Sequence, residues 1–278
     1  MKIAVVVQGG GMRGVYSMAA LDALAESKYA DDIKYIVGSS AGAINASYYI
    51  SKRTKQAVDF YVRYLSNKDF VNFLRLKKIV DIDFMVDTLK AKNPLEIDLL
   101  EKSKIVFDIM LTDAETGAPF QYRNDGKADI YELIRATSAL PLLYGKIVDI
   151  EGEGYVDGGV ATPIPFQDEL IEEYDLTIVI LTKDICARPK EMGFLMRKAY
   201  KLFLSKYNDA LVEEIIERNG ESNIMMDYLQ NKADKSKVLV CHPSDMSKMV
   251  KRTTANQSKL EVCAKMGYDD MCSVLNHI

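Results

Sequence analysis

Histidine and cysteine are both scarce in this chain, which has two histidines and four cysteines among 278 residues. The cysteines form no CxxC pair, and their spacing suits neither a zinc site nor a disulfide framework; they are Cys186, Cys241, Cys263 and Cys272. Two histidines are too few for the usual His-based metal site. We therefore expect reduced thiols, no metal and no cofactor.

Long apolar runs and an excess of basic charge are absent as well. No apolar stretch approaches the roughly 20 residues of a membrane span, and residues 1–10 lack the longer apolar region and cleavage site of a signal peptide. The net charge of -4 and the pI of about 5.4 do not suit a nucleic-acid-binding protein. The sequence predicts a cytoplasmic protein with no nucleic-acid partner, which could still contact a membrane peripherally.

Apolar β-branched runs alternate with helical patterns in the first fifty residues. Ile3 to Val7 and Ile33 to Val37 indicate buried strands, and helical patterns follow them over Val15 to Leu24 and Ala41 to Ile50. This βαβα order predicts an α/β fold with a mostly parallel central sheet flanked by helices. Because no Pro/Gly/Ser-rich linker interrupts the chain, we predict a single layered domain over residues 1–278.

A glycine-rich loop, Gly9-Gly10-Gly11-Met12-Arg13-Gly14, directly follows the first predicted strand. Glycines let the backbone approach a ligand closely, and the N-terminus of the next helix adds partial positive charge. Such a loop can bind phosphate or stabilise an oxyanion. The loop also matches GxGxxG, the fingerprint of dinucleotide-binding proteins. This fingerprint needs an acidic residue at the end of the second strand. Asp31 and Asp32 instead precede that strand, so the dinucleotide interpretation lacks its second residue.

Two further motifs carry chemistry. Gly38-Ser39-Ser40-Ala41-Gly42 fits GxSxG, and it lies where a predicted strand meets a predicted helix, as a nucleophile elbow requires. Ser40 is therefore the candidate nucleophile rather than an ordinary helix N-cap, with Ser39 as the neighbour to rule out. Asp157-Gly158-Gly159 follows Tyr155-Val156. Alone it is typical of an Asp-Gly turn, but beside the other two motifs Asp157 becomes a candidate base.

In this order, the three motifs resemble those of the patatin-like phospholipase family. Arg135-Ala136-Thr137-Ser138-Ala139-Leu140-Pro141, Ala43-Ile44-Asn45-Ala46 and Pro163-Ile164-Pro165 also look family-like. The core motifs lie within residues 1–182, and residues from about 183 to 278 look like a helical extension particular to a subfamily. Gln8 is a departure, because the family usually has an acidic residue there. We expect this change to affect how the loop is held more than the chemistry.

The resemblance implies a serine lipid-acyl hydrolase of the phospholipase A or esterase type. Ser40 would attack an ester carbonyl and Asp157 would accept its proton, without a histidine and without a metal. The oxyanion would be held by N–H groups of the loop of Gly9, Gly10 and Gly11. Arg13 would order this loop or bind the phosphate head group of a substrate. Since an ordinary Asp is a weak base, with a pKa of about 3.9, we expect Asp157 to be buried beside Ser40.

Three alternatives stay open at this point. The first is an α/β-hydrolase-type esterase or thioesterase with a Ser40–Asp157–His242 triad, because His242 follows a predicted strand and the chain order fits. The second is the dinucleotide-binding protein that uses residues 9–14. The third is a binding module that keeps the fold without activity.

One amphipathic stretch bears on membrane contact. Apolar side chains recur at helical spacing over residues 192–203, and we expect Arg197, Lys198 and Lys201 on the other face. The pattern predicts a helix packed on the core. An interfacial helix that draws lipid to the cleft is the alternative.

Overall fold

The computed structural model describes residues 1–75 and 78–278, and its central feature is an eight-stranded sheet. The strands are β1 (Ile3–Val7), β2 (Ile33–Ser39), β3 (Val106–Asp113), β4 (Pro119–Arg123), β5 (Val148–Ile150), β6 (Glu153–Asp157), β7 (Leu176–Ile180) and β8 (Val238–Cys241). They run in the order β5-β6-β3-β2-β1-β7-β8, and β4 pairs with β3. β8, β7, β1, β2 and β3 are mutually parallel, and the remaining pairs are antiparallel.

The helices flank this sheet. They are α1 (Gly14–Ala25), α2 (Ala41–Ile50), α3 (Thr54–Asp59), α4 (Ile82–Lys92), α5 (Ile97–Glu101), α6 (Ile130–Thr137), α7 (Glu169–Glu173), α8 (Phe194–Phe203), α9 (Asp209–Asp227) and α10 (Gln257–Leu275). A 3-10 turn over Gly11–Arg13 precedes α1, and single π-helical turns follow α3 and α9. No helix within the described residues is both long enough and apolar enough to cross a membrane.

Both faces of the central strand β1 are covered, which explains why β1 is apolar at every position. Ile3, Val5 and Val7 of β1 lie in the cluster that also contains side chains of α1, α2 and α10. The intervening Ala4 and Val6 lie in a second cluster with side chains of α7 and α9. Because successive residues of a strand point to opposite faces, a strand covered on both sides needs apolar residues at every position. The predicted α/β fold with a mostly parallel sheet and flanking helices is confirmed.

Residues 183–278 take part in this architecture. β8 extends the parallel sheet beside β7, and α10 packs against α1. The strand β8 and the helical segments agree with the sequence-based pattern. The single-domain organisation of residues 1–278 stays a prediction.

Apolar side chains within residues 54–100 suggest a largely helical region, but its helices are interrupted after Tyr64. Helix α3 ends at Asp59, the π turn that follows it covers Phe60–Tyr64, and α4 begins at Ile82. The side chain of Asn67 accepts hydrogen bonds from the N–H groups of Asp69 and Phe70, at 2.9 and 3.0 Å. Such local side-chain bonds compete with helical backbone bonds, so the helix does not continue here. The short strand β5 was also not predicted.

Candidate active site

Ser40 lies on a sharp turn between the end of β2 and the start of α2. Its φ of 52° and ψ of -127° are rare for a residue with a side chain, and they lift its hydroxyl out of the sheet. The turn brings Gly42 against β1, where an added Cβ would lie 2.2 Å from the carbonyl oxygen of Val7. Only glycine fits at that distance. Ser39, by contrast, is buried within β2.

A side chain from α6 holds this turn in place. The N–H of Ser40 donates to Oγ1 of Thr137 at 2.8 Å, and the same hydroxyl donates to the carbonyl oxygen of Met110 at 2.6 Å. Thr137 is buried, so its hydroxyl fastens the strained turn to the end of β3. The sequence motif Arg135–Pro141 contained this residue, but no role for Thr137 was predicted.

Strand register brings Asp157 to the level of Ser40. Ser39 of β2 pairs with Met110 of β3, and the next residue, Leu111, pairs with Asp157 at the end of β6. The N–H of Asp157 donates to the carbonyl oxygen of Ala139, just beyond Thr137, at 3.2 Å. One short segment therefore supports both Ser40 and Asp157.

Asp157 is 2% exposed, and only one of its two carboxylate oxygens has a hydrogen-bond partner of standard geometry among the described residues. Its Oδ1 accepts from the N–H of Gly159 at 2.8 Å. Its Oδ2 has no partner with standard hydrogen-bond geometry among the described residues, although the Ser40 hydroxyl is close enough to affect the carboxyl group. Burial raises the pKa of Asp157, while the positive charge of Arg218 and the Ser40 hydroxyl act in the opposite direction.

The glycine loop presents free N–H groups next to Ser40. In the described part of the chain, no acceptor bonds the N–H groups of Gly10 and Gly11. Gly11 has a φ of 56° and lies against the carbonyl oxygen of Arg252.

Gln8, at the usual position of an acidic residue, accepts from the N–H of Thr182 at 2.8 Å. An amide oxygen thus supplies the acceptor that anchors the loop to the end of β7.

Two cavities meet at Ser40. The first is polar, and it is lined by Ser40, Asp157, residues 8–11 and three cationic side chains. The second is apolar, and Ser40 borders it together with side chains of α2, α4 and the segments around them: Ile44, Leu65, Phe70, Ile82, Met85 and Leu143. Ser40 therefore lies where an apolar surface and a polar surface meet.

Comparison with known proteins fits this arrangement of loop, elbow and Asp-Gly-Gly. The sequence profile described as Patatin-like phospholipase matches residues 5–170, more than half of the chain. The chain belongs to the patatin-like phospholipase family. The matched span includes the glycine loop, the Ser40 turn and Asp157, and it ends before β7.

Two relatives of this patatin-like chain show how far the similarity extends. The protein YjjU of Escherichia coli (strain K12) is 30% identical over 188 residues, which are 65% of this chain and 52% of YjjU. The chain thus spans about half the length of that relative. The structure of VipD from Legionella pneumophila superposes with a TM-score of 0.59 at 14% identity, over 99% of this chain and 67% of that chain. At that identity the second likeness concerns the fold.

The structure of this patatin-like chain separates His242 from the other candidate residues. His242 follows β8, three strand positions from β2, which corresponds to roughly 14 Å. Asp157 lies in the opposite direction, beyond β3. The nearest acidic group to His242 is Asp184, with Nδ1 and Oδ1 4.0 Å apart. This geometry does not support a triad in which a histidine lies between Ser40 and Asp157.

The acidic residues required by the dinucleotide interpretation are also misplaced. Asp31 and Asp32 lie in the 3-10 turn before β2, and Asp32 contacts the N-terminal amino group. They are therefore at the opposite edge of the sheet from the glycine loop. Among the described residues, no group of three or more His, Cys, Asp or Glu side chains is arranged to hold a metal ion.

Arg13 does not line either cavity at Ser40. Its Nε donates to the carbonyl oxygen of Val250 at 3.0 Å, which ties the glycine loop to the segment before α10. Arg13 borders a neighbouring, more open depression that also includes Lys183 and Arg252. The substrate contact of Arg13 stays a prediction.

Proposed function

We propose that this chain hydrolyses carboxylic ester bonds of lipids through a Ser40–Asp157 dyad. The observation that carries the proposal is the position of Ser40, at the junction of an apolar cavity and a polar cavity that contains Asp157. A lipid ester has an acyl chain on one side of its carbonyl group and a polar alcohol on the other. Membership of the patatin-like phospholipase family supports the same reaction class.

In this mechanism, Ser40 Oγ attacks the ester carbonyl carbon while Asp157 Oδ2 accepts the hydroxyl proton. The N–H groups of Gly10 and Gly11 stabilise the negative charge on the carbonyl oxygen. The tetrahedral intermediate collapses to an acyl-serine, and the alcohol leaves with the proton from Asp157. Water, deprotonated by Asp157, then attacks the acyl-serine and releases the fatty acid. Ester and water become acid and alcohol, and both side chains return to their initial state.

The environment of Asp157 suits this role. Burial makes its carboxylate a stronger base than an ordinary aspartate, since the charged form is poorly solvated. The nearby Arg218 favours the ionised form and so limits the rise of the pKa. A base must be ionised at the working pH and still bind a proton firmly, and these two opposing influences meet both needs.

We further propose that α8 contacts the lipid surface. The structure describes every residue of α8 and none is buried, so the prediction that this helix packs its apolar face on the core is wrong. Its large apolar side chains are 54–82% exposed: Phe194, Leu195, Met196, Leu202 and Phe203. Lys198 lies over the ring of Phe194, 4.5 Å from its centroid, which adds positive charge to this face. Such a face fits the boundary between acyl chains and anionic head groups.

Helix α8 is held next to the polar cavity by its partner α9. Arg197 pairs with Glu217, and Lys201 pairs with Glu213 at 2.7 Å. Arg218, which directly follows Glu217 in α9, lines the cavity. A membrane contact through α8 would therefore place the cavity close to the lipid head groups.

The test of the proposed reaction is covalent labelling with a fluorophosphonate probe, read by intact mass. We expect one adduct on the unmodified chain and on Ser39→Ala, and no adduct on Ser40→Ala. Labelling of Asp157→Asn should be slower by at least about a hundredfold, because removing a general base typically costs that much. His242→Ala should label as fast as the unmodified chain.

Two results would contradict the proposal. An adduct that persists on Ser40→Ala would assign the nucleophile to another residue. Loss of labelling in His242→Ala, with Asp157→Asn unaffected, would favour a histidine base over the dyad. Every labelling reaction contains mixed micelles, so that Ser40 is also labelled if the probe can reach it only in the presence of lipid.

A further inference from the structure

Three cationic side chains line the polar cavity beside Ser40 and Asp157. They are Lys183, Arg218 and Arg252, which come from the loop after β7, from α9 and from the loop before α10. All three lie beyond residue 170, where the match to the family profile ends. They are therefore a property of this chain that family membership does not imply.

These cations have no carboxylate partners. Among the described residues, 1–75 and 78–278, no carboxylate forms a salt bridge with Lys183, Arg218 or Arg252. The two other arginines in the last third of the chain, Arg188 and Arg197, do form salt bridges. The amino group of Lys183 donates only to the Ser222 hydroxyl, at 3.1 Å. Arg252 is exposed, whereas Lys183 and Arg218 are partly buried. Lysine and arginine side chains that leave bulk water are normally paired, so the missing partners concern these two side chains above all.

Asp157 is the one acidic side chain that borders this cavity among the described residues. Its charge leaves the cavity with a net excess of two positive charges, three cations less one carboxylate. Gln8, which also lines the cavity, adds no charge. The excess is therefore available to an anion that enters beside Ser40.

The cations also repel one another. Burial, together with the charges of Arg252, Arg218 and Arg13, lowers the pKa of Lys183 to about 8. Burial and the charge of Arg252 lower the pKa of Arg218 to about 10, although Asp157 acts against this. An anion in the cavity would relieve both the repulsion and the lack of partners.

We propose that Lys183, Arg218 and Arg252 bind the phosphate group of a lipid substrate and set a preference for phosphomonoester head groups. This inference rests on the proposed ester hydrolysis at Ser40. A phosphomonoester carries close to two negative charges at pH 7 and has three acceptor oxygens. The two guanidinium groups can each bind two of those oxygens.

A zwitterionic head group would fit this cavity poorly. Its phosphate carries one charge, and its ammonium group would lie among three cations. A neutral lipid would leave the cations without any partner. The apolar cavity on the other side of Ser40 would take the acyl chain in each case, so the head group decides between these substrates.

The binding test uses the Ser40→Ala variant, so that nothing is hydrolysed. We expect dodecyl phosphate, below its critical micelle concentration, to bind at least about tenfold more tightly than dodecylphosphocholine in calorimetry. Lys183→Gln or Arg218→Gln in the same background should each weaken dodecyl phosphate binding about tenfold or more, as expected for a lost charge-assisted bond. Lys183→Arg should restore binding. Lys104→Gln, an exposed cation before β3 at the opposite edge of the sheet, should leave it unchanged.

A binding measurement with inorganic phosphate alone distinguishes a lipid phosphate group from the free phosphate ion as the ligand of the three cations. We expect it to bind at least about tenfold more weakly than dodecyl phosphate, because it makes no use of the apolar cavity. Equal affinities for the two ligands would assign the cluster to the free ion and overturn the proposal. Equal affinities for dodecyl phosphate and dodecylphosphocholine would overturn it as well.

Hydrolysis gives the second measurement, with monomeric lysophosphatidate and lysophosphatidylcholine as substrates. We expect a kcat/KM ratio of at least about ten in favour of lysophosphatidate, reduced in Lys183→Gln and unchanged in Lys104→Gln. Hydrolysis of both substrates at equal rates would support the dyad and overturn the head-group preference. Absence of fluorophosphonate labelling, with selective dodecyl phosphate binding intact, would instead overturn the dyad alone.

Discussion

At the scale of single residues, the proposed mechanism depends most on Asp157, the proposed base. Its carboxyl group is buried, one of its oxygens lacks a partner, and its pKa is raised by burial. A raised pKa means that the folded chain holds the proton more firmly than an exposed aspartate does. The catalytically useful, ionised form is thus gained as the pH rises through that pKa, and it is lost below it.

We therefore expect kcat/KM for a neutral short-chain ester to fall on the acidic side, with a midpoint above the ordinary aspartate value of about 3.9. In Arg218→Gln the midpoint should move to higher pH, because the cation that lowers the pKa of Asp157 is gone. Arg63→Gln, which changes an exposed arginine paired with Asp59, serves as the matched control. A midpoint that stays in place in Arg218→Gln, or moves to lower pH, would refute this electrostatic role.

At the scale of secondary-structure elements, the end of α6 connects the two strands that lead to Ser40 and Asp157. Thr137 binds the Ser40 turn and the end of β3, and Ala139 binds the N–H of Asp157. The separation between nucleophile and base thus depends on a few residues that belong to neither strand. A helix end is well suited to this task, since its backbone is held by its own hydrogen bonds.

Replacing Thr137 tests this connection. Thr137→Val keeps the shape but leaves the N–H of Ser40 and the carbonyl group of Met110 without their partner, so we expect a loss of about 1–3 kcal/mol in the free energy of unfolding. Labelling of Ser40 should slow at least about tenfold as well. Thr137→Ser keeps the hydroxyl and should retain most of both. Urea denaturation and probe kinetics measure the two effects, and equal behaviour of the two variants would contradict the role of the hydroxyl.

The elements near the N-terminus could be predicted because their signals are local. An apolar run, a glycine turn and a GxSxG motif each lie within a few residues, so β1, β2 and the Ser40 turn followed from the pattern. The meeting of Ser40 with Asp157 depends on strand register, and only the family resemblance suggested it. The convergence of Lys183, Arg218 and Arg252 depends on how α9 and two loops pack, which no local pattern encodes.

At the scale of the whole molecule, the exposed apolar side chains of α8 bear on how the proposed lipid substrate reaches the two cavities at Ser40. The amphipathic pattern of α8 was recognisable in the sequence. The pattern did not show whether the apolar side of α8 faces the core or the outside, because the same periodicity describes a helix packed on a core and a helix at an interface. In the structure, the large apolar side chains of α8 are exposed rather than packed on the core.

We expect the double variant with Phe194→Ser and Phe203→Ser to bind anionic vesicles at least about tenfold more weakly in a pelleting assay, since each buried Phe contributes about 1.5–3 kcal/mol. Its labelling by a soluble fluorophosphonate should be unchanged. The matched control changes two exposed apolar residues elsewhere, Leu99→Ser and Val262→Ser. Equal pelleting of the two double variants would refute the membrane contact of α8.

The contact between Gly11 and Arg252 has a consequence for how such chains diversify. The carbonyl oxygen of Arg252 accepts the N–H of Met12 at 3.0 Å, so the glycine loop is supported by residues from the last third of the chain. The same residue also lines the polar cavity. A chimera that keeps residues 1–182 and takes its remaining segment from a relative would exchange loop support and substrate choice together. Replacing residues 183–278 is therefore expected to alter the support of the glycine loop along with the proposed head-group preference.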